Sequence, residues 1–204
     1  MDVPTRKRDA TRQKLLQAAN QRFLAHGYDG TTAAAIADDA GVTERTFFRY
    51  FPNKADVLVA MWEEHAATAL RVGLIENTKA NLRDSVRDVL ILFVTRLEVE
   101  FGPRIRNVVR LYFDRNAFQA IMGFLFEVEN HLADGLARRT GRSTNDFAVR
   151  VAANASMGVF RAAMRASVID PHSPPAAELI TVGMRRLRTC FNALSERPTE
   201  ISVD

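Results

Sequence analysis

Thr43, Glu44, Arg45, Thr46 and Arg49 crowd into one short stretch, and their side chains share a chemistry. An arginine can chelate O6 and N7 of a guanine. A glutamate can accept from N4 of a cytosine, and a threonine offers a hydroxyl or a methyl. Tyr50 and Lys54 follow where a chain leaving the base edges would meet the sugar-phosphate backbone. The set suits the reading of DNA. On spacing alone, the same residues could also be the solvated face of a helical hairpin.

Other chemistries lack their residues. No Gly-x-Gly occurs, nor a phosphate-binding G-x-x-x-x-G-K, nor a G-x-S-x-G nucleophile elbow. The histidines, His26, His65, His131 and His172, are too scattered for a known zinc motif. Glu127 and His131 share a helix face with Glu129 nearby, but two ligands do not make a metal site. Cys190 is the only cysteine, so a disulfide framework and a Cys-rich zinc site are excluded. It is expected to be buried on the last helix. No catalytic constellation, metal or cofactor is expected.

The elements that position these residues read as helices throughout, about nine of them, and no run alternates as a strand. Thr11 to Ala25 forms the first, with Leu15, Leu16, Ala19 and Phe23 inward and Gly27 as its stop. Thr32 to Ala40 and Thr43 to Phe51 are two short helices, each with a threonine in the capping position. Gly41 gives the tight turn between them, and Ala37, four residues earlier, lets them cross closely. Ile36, Ala40, Val42, Phe47 and Phe51 fill the pair. This is a helix-turn-helix pattern, whose second helix enters the major groove. Pro52 ends that helix, and Asn53 caps a fourth, with Asp56 in capping-box register, running to about Leu74. The amino end of the fourth could hold a phosphate.

Leu82, Val86, Leu90, Phe93 and Leu97 form the stripe of another helix, and Ile105 to Phe113 a short one. Ile121, Leu125, Val128, Leu132 and Leu136 form the next stripe, closed near Gly141. Phe147 to Ser167 and Ala176 to Leu194 are the last two helices, and residues 196–204 a frayed tail. The expected organisation is a reader of residues 1–53 followed by a helical body of residues 54–204.

Residues 11 to 60 resemble the DNA-binding domain of the TetR family of bacterial regulators. The resemblance rests on Leu15-Leu16-x-Ala18-Ala19-x-x-x-Phe23, Gly27-Tyr28-x-x-Thr31-Thr32, Ile36-Ala37-x-x-Ala40-Gly41-Val42-Thr43 and Thr46-Phe47-Phe48-x-Tyr50-Phe51-x-x-Lys54-x-x-x-Leu58. It implies an all-α fold: an N-terminal three-helix DNA-binding domain and a C-terminal ligand-binding and dimerisation domain. It further implies that Thr43 caps the reading helix and that Glu44, Arg45, Thr46, Phe48 and Arg49 face the DNA. Thr32, Tyr50 and Lys54 fall where the family makes phosphate contacts. Two residues depart from the pattern. Arg45 stands where a small residue is common, and Phe48 where many members have a tyrosine.

The implied function is a homodimeric, cytoplasmic repressor, released from a near-palindromic double-stranded operator by a small hydrophobic effector. The alternative is a helical ligand-binding or interaction module that does not bind an operator. For an effector pocket the residues to weigh are Trp62, His65, Phe93, Leu111, Met122, Phe126, Met157 and Phe160. For a dimer interface they are Val151, Ala155, Val159, Ala162, Ile180, Gly183, Leu187 and Phe191, two stripes of mostly small residues that could pair as a four-helix bundle.

Charge agrees with the resemblance without deciding it. The net charge is +4, and +3 of it lies in residues 1–54. Arg6, Lys7, Arg8, Arg12 and Lys14 form a basic lead-in, either a flexible arm onto DNA or a solubilising tail. The amino terminus has no apolar stretch after its basic residues, so no secretory signal is expected. The longest apolar runs are about six residues, where a membrane span needs about 18.

Overall fold

A computed structural model describes residues 3–76, 80–101, 115–170, 172–188 and 191–192. Among them every regular element is helical. They are α1 (Val3–His26), α2 (Ala33–Asp39), α3 (Glu44–Tyr50), α4 (Lys54–Leu70), a π-helical segment (Arg71–Glu76), α5 (Leu82–Phe101), α6 (Arg115–Thr140), α7 (Phe147–Ile169) and α8 (Ala176–Arg186). The chain separates into two compact units: Met1–His65 with Leu97–Phe124, and Ala66–Arg96 with Leu125–Asp204.

In the first unit, local chemistry sets the boundaries from the end of α1 to the start of α4. Gly27 ends α1 with φ +75°, and Gly41 turns between α2 and α3 with φ +68°. A side chain at either angle would be strained. The Thr32 hydroxyl accepts from Ala35 N (3.1 Å), and that of Thr43 from Thr46 N (3.2 Å), so both short helices carry the caps their sequence calls for. The next cap is reciprocal: Asn53 N donates to the Asp56 carboxylate (2.9 Å) and Asp56 N to Asn53 Oδ1 (3.0 Å). Leu15, Phe23, Ile36, Phe47, Val57 and Leu58 are all but fully buried and form the core. Each contributes about 1.5–3 kcal/mol relative to an exposed position.

In the second unit, caps at Asn81 and Asp146 start α5 and α7, Gly141 follows α6 with φ +67°, and long apolar stripes pack the helices. Val86, Leu90 and Phe93 of α5 are buried, as are Leu125, Val128, Leu132 and Leu136 of α6. Gly73 and Gly135 have no room for a side chain: a Cβ would run into Val89 or Leu74. Arg139 of α6 donates to Ser85 Oγ (2.6 Å) and to the Ala80 carbonyl (2.7 Å). Glu129, buried, accepts from Arg150 (3.1 Å) and from Asn154 (2.9 Å) of α7. A buried carboxylate needs such partners.

Three boundaries differ from the sequence expectation. α1 starts at Val3, eight residues before Thr11. Its first turns have no apolar periodicity to mark them, but Pro4 sits where its missing N–H costs no hydrogen bond. The basic lead-in is therefore helix, not a flexible arm. The α-helical part of α4 ends at Leu70 and continues as wider π turns. α8 is interrupted after Arg186, where the Leu187 N–H turns back to the Met184 carbonyl (3.2 Å); Arg188, Phe191 and Asn192 are again helical. The helix expected over Ile105 to Phe113, Leu194 and the tail of residues 196–204 lie outside the described residues, as do Leu111 and Cys190.

Candidate nucleic-acid interface

α3 carries the reading residues. Its inward side is Phe47, fully buried, with Phe48 at 5.3 Å and Phe51 at 5.9 Å between ring centroids. Anchoring at Phe47 turns Glu44, Arg45, Phe48 and Arg49 outward, and all four are exposed. Phe48 keeps 46% of its surface accessible, an unusual state for an aromatic beside a packed core. Thr43 and Thr46 are already engaged with each other: their hydroxyls lie 3.0 Å apart, and Thr43 caps the helix. Their methyl groups remain for apolar contact. The Arg49 guanidinium lies over the Tyr50 ring, 5.4 Å from its centroid. Thr32 is exposed with its hydroxyl spent on capping α2.

Lys54 is the departure. Sequence reasoning places it on a phosphate. In the structure its ammonium donates to the carbonyls of Tyr28 (2.6 Å) and Thr31 (2.9 Å) and sits 3.9 Å from the centroid of the Tyr28 ring. Thr31 is itself buried, its hydroxyl donating to the Gly27 carbonyl (2.8 Å). Lys54 thus fastens the first residue of α4 to the loop between α1 and α2.

Two further ties were not foreseen. Arg22 of α1 makes a bidentate pair with Asp39 of α2, at 2.6 and 2.8 Å. The Arg22 hydrogen bonds hold the Asp39 carboxyl below its ordinary range and raise the guanidinium in turn. Arg12 covers the Phe51 ring at 5.6 Å. Both pairs join residues far apart in sequence, so no local spacing announces them.

The residues weighed for an effector pocket scatter in environment. Trp62 is 7% exposed and its ring lies 5.8 Å from Phe124. His65 and Met122 are half-buried. Phe93 and Phe160 are buried with ring centroids 5.7 Å apart, and Met157 is buried. Phe126 is a correction to the expectation of an inward aromatic: it is 56% exposed. It falls one position off the buried stripe of α6, and the helical turn carries it outward.

The dimer stripes divide likewise. Ile180 and Phe191 are buried within the chain. A Cβ at Gly183 would stand 2.5 Å from Val159 Cγ1, so these two residues join α8 to α7. The expectation of a partner-facing surface is corrected for Ile180 and Phe191, which are spent inside the subunit; Val159 and Gly183 touch each other and are half-buried. Val151, Ala155 and Leu187 are half-buried and Ala162 is exposed. Among the described residues no three His, Cys, Asp or Glu groups come together as metal ligands. His131 instead pairs with the Glu127 backbone carbonyl (2.7 Å).

Comparison with known proteins decides the family. Residues 15–61 match the model of bacterial regulatory proteins of the tetR family, and residues 80–192 match the MftR C-terminal domain. The chain is 31% identical over 157 residues to the "Putative mycofactocin biosynthesis transcriptional regulator MftR" of Mycobacterium tuberculosis, covering 76% of this chain and 78% of the relative. The chain belongs to the TetR family.

This TetR-family chain is thus a DNA-binding transcriptional regulator and not an enzyme. Solved structures share its fold at low identity. FadR of Thermus thermophilus, a TetR-family repressor in complex with lauroyl-CoA, superposes with a TM-score of 0.68 at 18% identity, over 95% of this chain and all of that one. FadR of Bacillus subtilis in complex with stearoyl-CoA gives 0.57 at 21% identity, over 86% and 96%. Among the described residues of this regulator no helix is long and apolar enough to cross a membrane.

Proposed function

We propose that this regulator is a homodimeric repressor in the cytoplasm, with a reader of residues 1–53 and a ligand-binding, dimerising body of residues 54–204. It occupies a near-palindromic operator and leaves it when a small apolar effector binds. One observation carries the reader assignment: α3, pinned by Phe47, holds Glu44, Arg45, Phe48 and Arg49 exposed on a short capped helix. Arg45 takes the guanine-chelating role, Glu44 accepts from a cytosine, and Phe48 lies against thymine methyl groups. Thr43 and Thr46 contribute methyl contacts. Thr32, Arg49 and Tyr50 lie along the phosphates, and Lys54 acts through the loop it holds.

The dimer forms through the part of α7 and α8 not spent inside the subunit, chiefly Val151, Ala155, Ala162 and Leu187. Phe147, exposed at the start of α7, extends that face. An interface of this kind typically buries about 2,000 Å² or more. Fold neighbours solved with acyl-CoA thioesters support an effector with a long apolar chain. The buried aromatic and thioether groups Phe93, Met157 and Phe160 suit such a chain.

Selection of tight binders from random duplex DNA tests the whole. A palindrome with half-sites about one helical turn apart, or somewhat more, is expected. Arg45→Ala should then relax preference at one position per half-site, by about 1–3 kcal/mol of discrimination. A folded dimer that selects no consensus would refute the operator reading.

A further inference from the structure

Trp62 is the chain's single tryptophan. It stands on α4, is 7% exposed, and its Nε1–H has no hydrogen-bond partner among the described residues. The indole nitrogen can only donate. Buried donors in native proteins nearly always find an acceptor, and one that does not calls for an explanation such as a ligand. One other buried side-chain polar atom is without a partner among the described residues, Asn20 Oδ1 on α1, but Asn20 as a whole is only half-buried. The described neighbours of Trp62 are apolar. One turn before it on α4 lie Leu58 and Val59, one turn after it lies Ala66, all buried, and the Phe124 ring stands 5.8 Å away. Packing alone would be served by a phenylalanine. The indole adds a donor.

We infer that the Trp62 Nε1–H is the polar anchor of the effector, donating to an acceptor oxygen on an otherwise apolar molecule: a thioester, ester or carboxylate oxygen at the head of an acyl chain. This rests on the effector-released repressor proposed above and specifies its ligand. An apolar chain alone would leave the donor unsatisfied, so alkanes of the same length are discriminated against. A site built to hydrogen-bond one group rejects the analogue that lacks it. Because Trp62 lies on α4, eight residues after Lys54, occupancy at the indole acts on the helix that Lys54 ties to the α1–α2 loop.

The test uses the full-length dimer and two probes that differ only in the carbonyl: lauroyl-CoA and its thioether analogue S-dodecyl-CoA. Wild type should bind lauroyl-CoA about three- to tenfold more tightly, the range one neutral hydrogen bond supports. Trp62→Phe, measured by calorimetry, should bind the two alike. The single indole N–H resonance of the wild type should move downfield with lauroyl-CoA and not with S-dodecyl-CoA, a readout that survives if the variant fails to fold. Equal affinity of wild type for both probes, or an indole resonance that lauroyl-CoA leaves in place, overturns the anchor while leaving the repressor intact. Operator release is read in parallel. If neither probe binds and neither releases the operator, the anchor and the acyl effector fall together. The DNA selection stands or falls separately.

Discussion

The reader and the bundle of α5 to α8 are both helical, yet they are specified in different ways. In the reader, α2 and α3 begin at threonine caps, the turns after α1 and α2 carry glycines with positive φ, and α4 starts at a lysine bonded to two backbone carbonyls. The bundle also has caps, Asn81 before α5 and Asp146 before α7, and a glycine of positive φ, Gly141, after α6, but long stripes of Val, Leu, Phe and Ala decide which of its faces meet, and glycines set how closely. Hydrogen bonds of fixed geometry define positions residue by residue. Apolar burial is non-directional and defines them only collectively. A DNA reader must present side chains to bases at fixed places, and the two short helices that carry them are each fixed by a threonine cap.

Breaking the reader's single core anchor should have the largest effect. Phe47→Ala removes the fully buried ring beneath α3 and should cost about 3–5 kcal/mol, abolishing operator binding. Retention of wild-type operator affinity would show that Phe47 is not what holds α3. Lys54→Met comes next. Hydrogen bonds to charged groups contribute about 1.5–3 kcal/mol each, so thermal stability and operator affinity should both fall. The slope of log affinity against log salt should stay at its wild-type value, whereas a lost phosphate contact lowers it by about 0.9. A slope that drops returns Lys54 to the phosphate backbone.

Two glycines sharpen the contrast with opposite signs. Gly41→Ala forces a side chain onto φ +68° and should destabilise by about 1–2 kcal/mol, with a matching loss of DNA affinity. Gly123→Ala on α6 meets open space and should stabilise by about 0.5–1 kcal/mol, leaving operator affinity alone. Denaturant melts of the two variants check both signs. The smallest effect belongs to Arg22 and Asp39. Because the folded carboxyl of Asp39 titrates below its unfolded value, the pair stabilises the reader above the ordinary carboxylate range. That contribution is lost as pH falls through the depressed pKa. Asp39→Asn should flatten acid lability below about pH 4 and change little at neutral pH.

Legibility in the sequence follows the same division. Thr32, Thr43, Gly41 and the Asn53–Asp56 box could be placed by type and spacing because each acts on its own backbone within a few residues. The stripes of α5 and α6 were legible for a similar reason, since 3.6-residue periodicity marks their buried faces. What escaped was contact between distant elements. Lys54 reads as a free cation until the fold brings the Tyr28 and Thr31 carbonyls to it. Arg22 and Asp39 are separated by 17 residues. Small-residue stripes such as those of Val159 and Gly183 read alike whether they meet a helix of their own chain or of a partner.

The Lys54 tether also bears on modularity. Exchanging readers between regulators of this architecture invites a cut at Pro52 or Asn53, between helices. Such a cut takes the loop from one parent and its fastening from the other. A chimera crossing over after the first turn of α4 keeps Lys54 with the Tyr28 and Thr31 carbonyls it holds, so the exchangeable part of this reader is longer than its three helices.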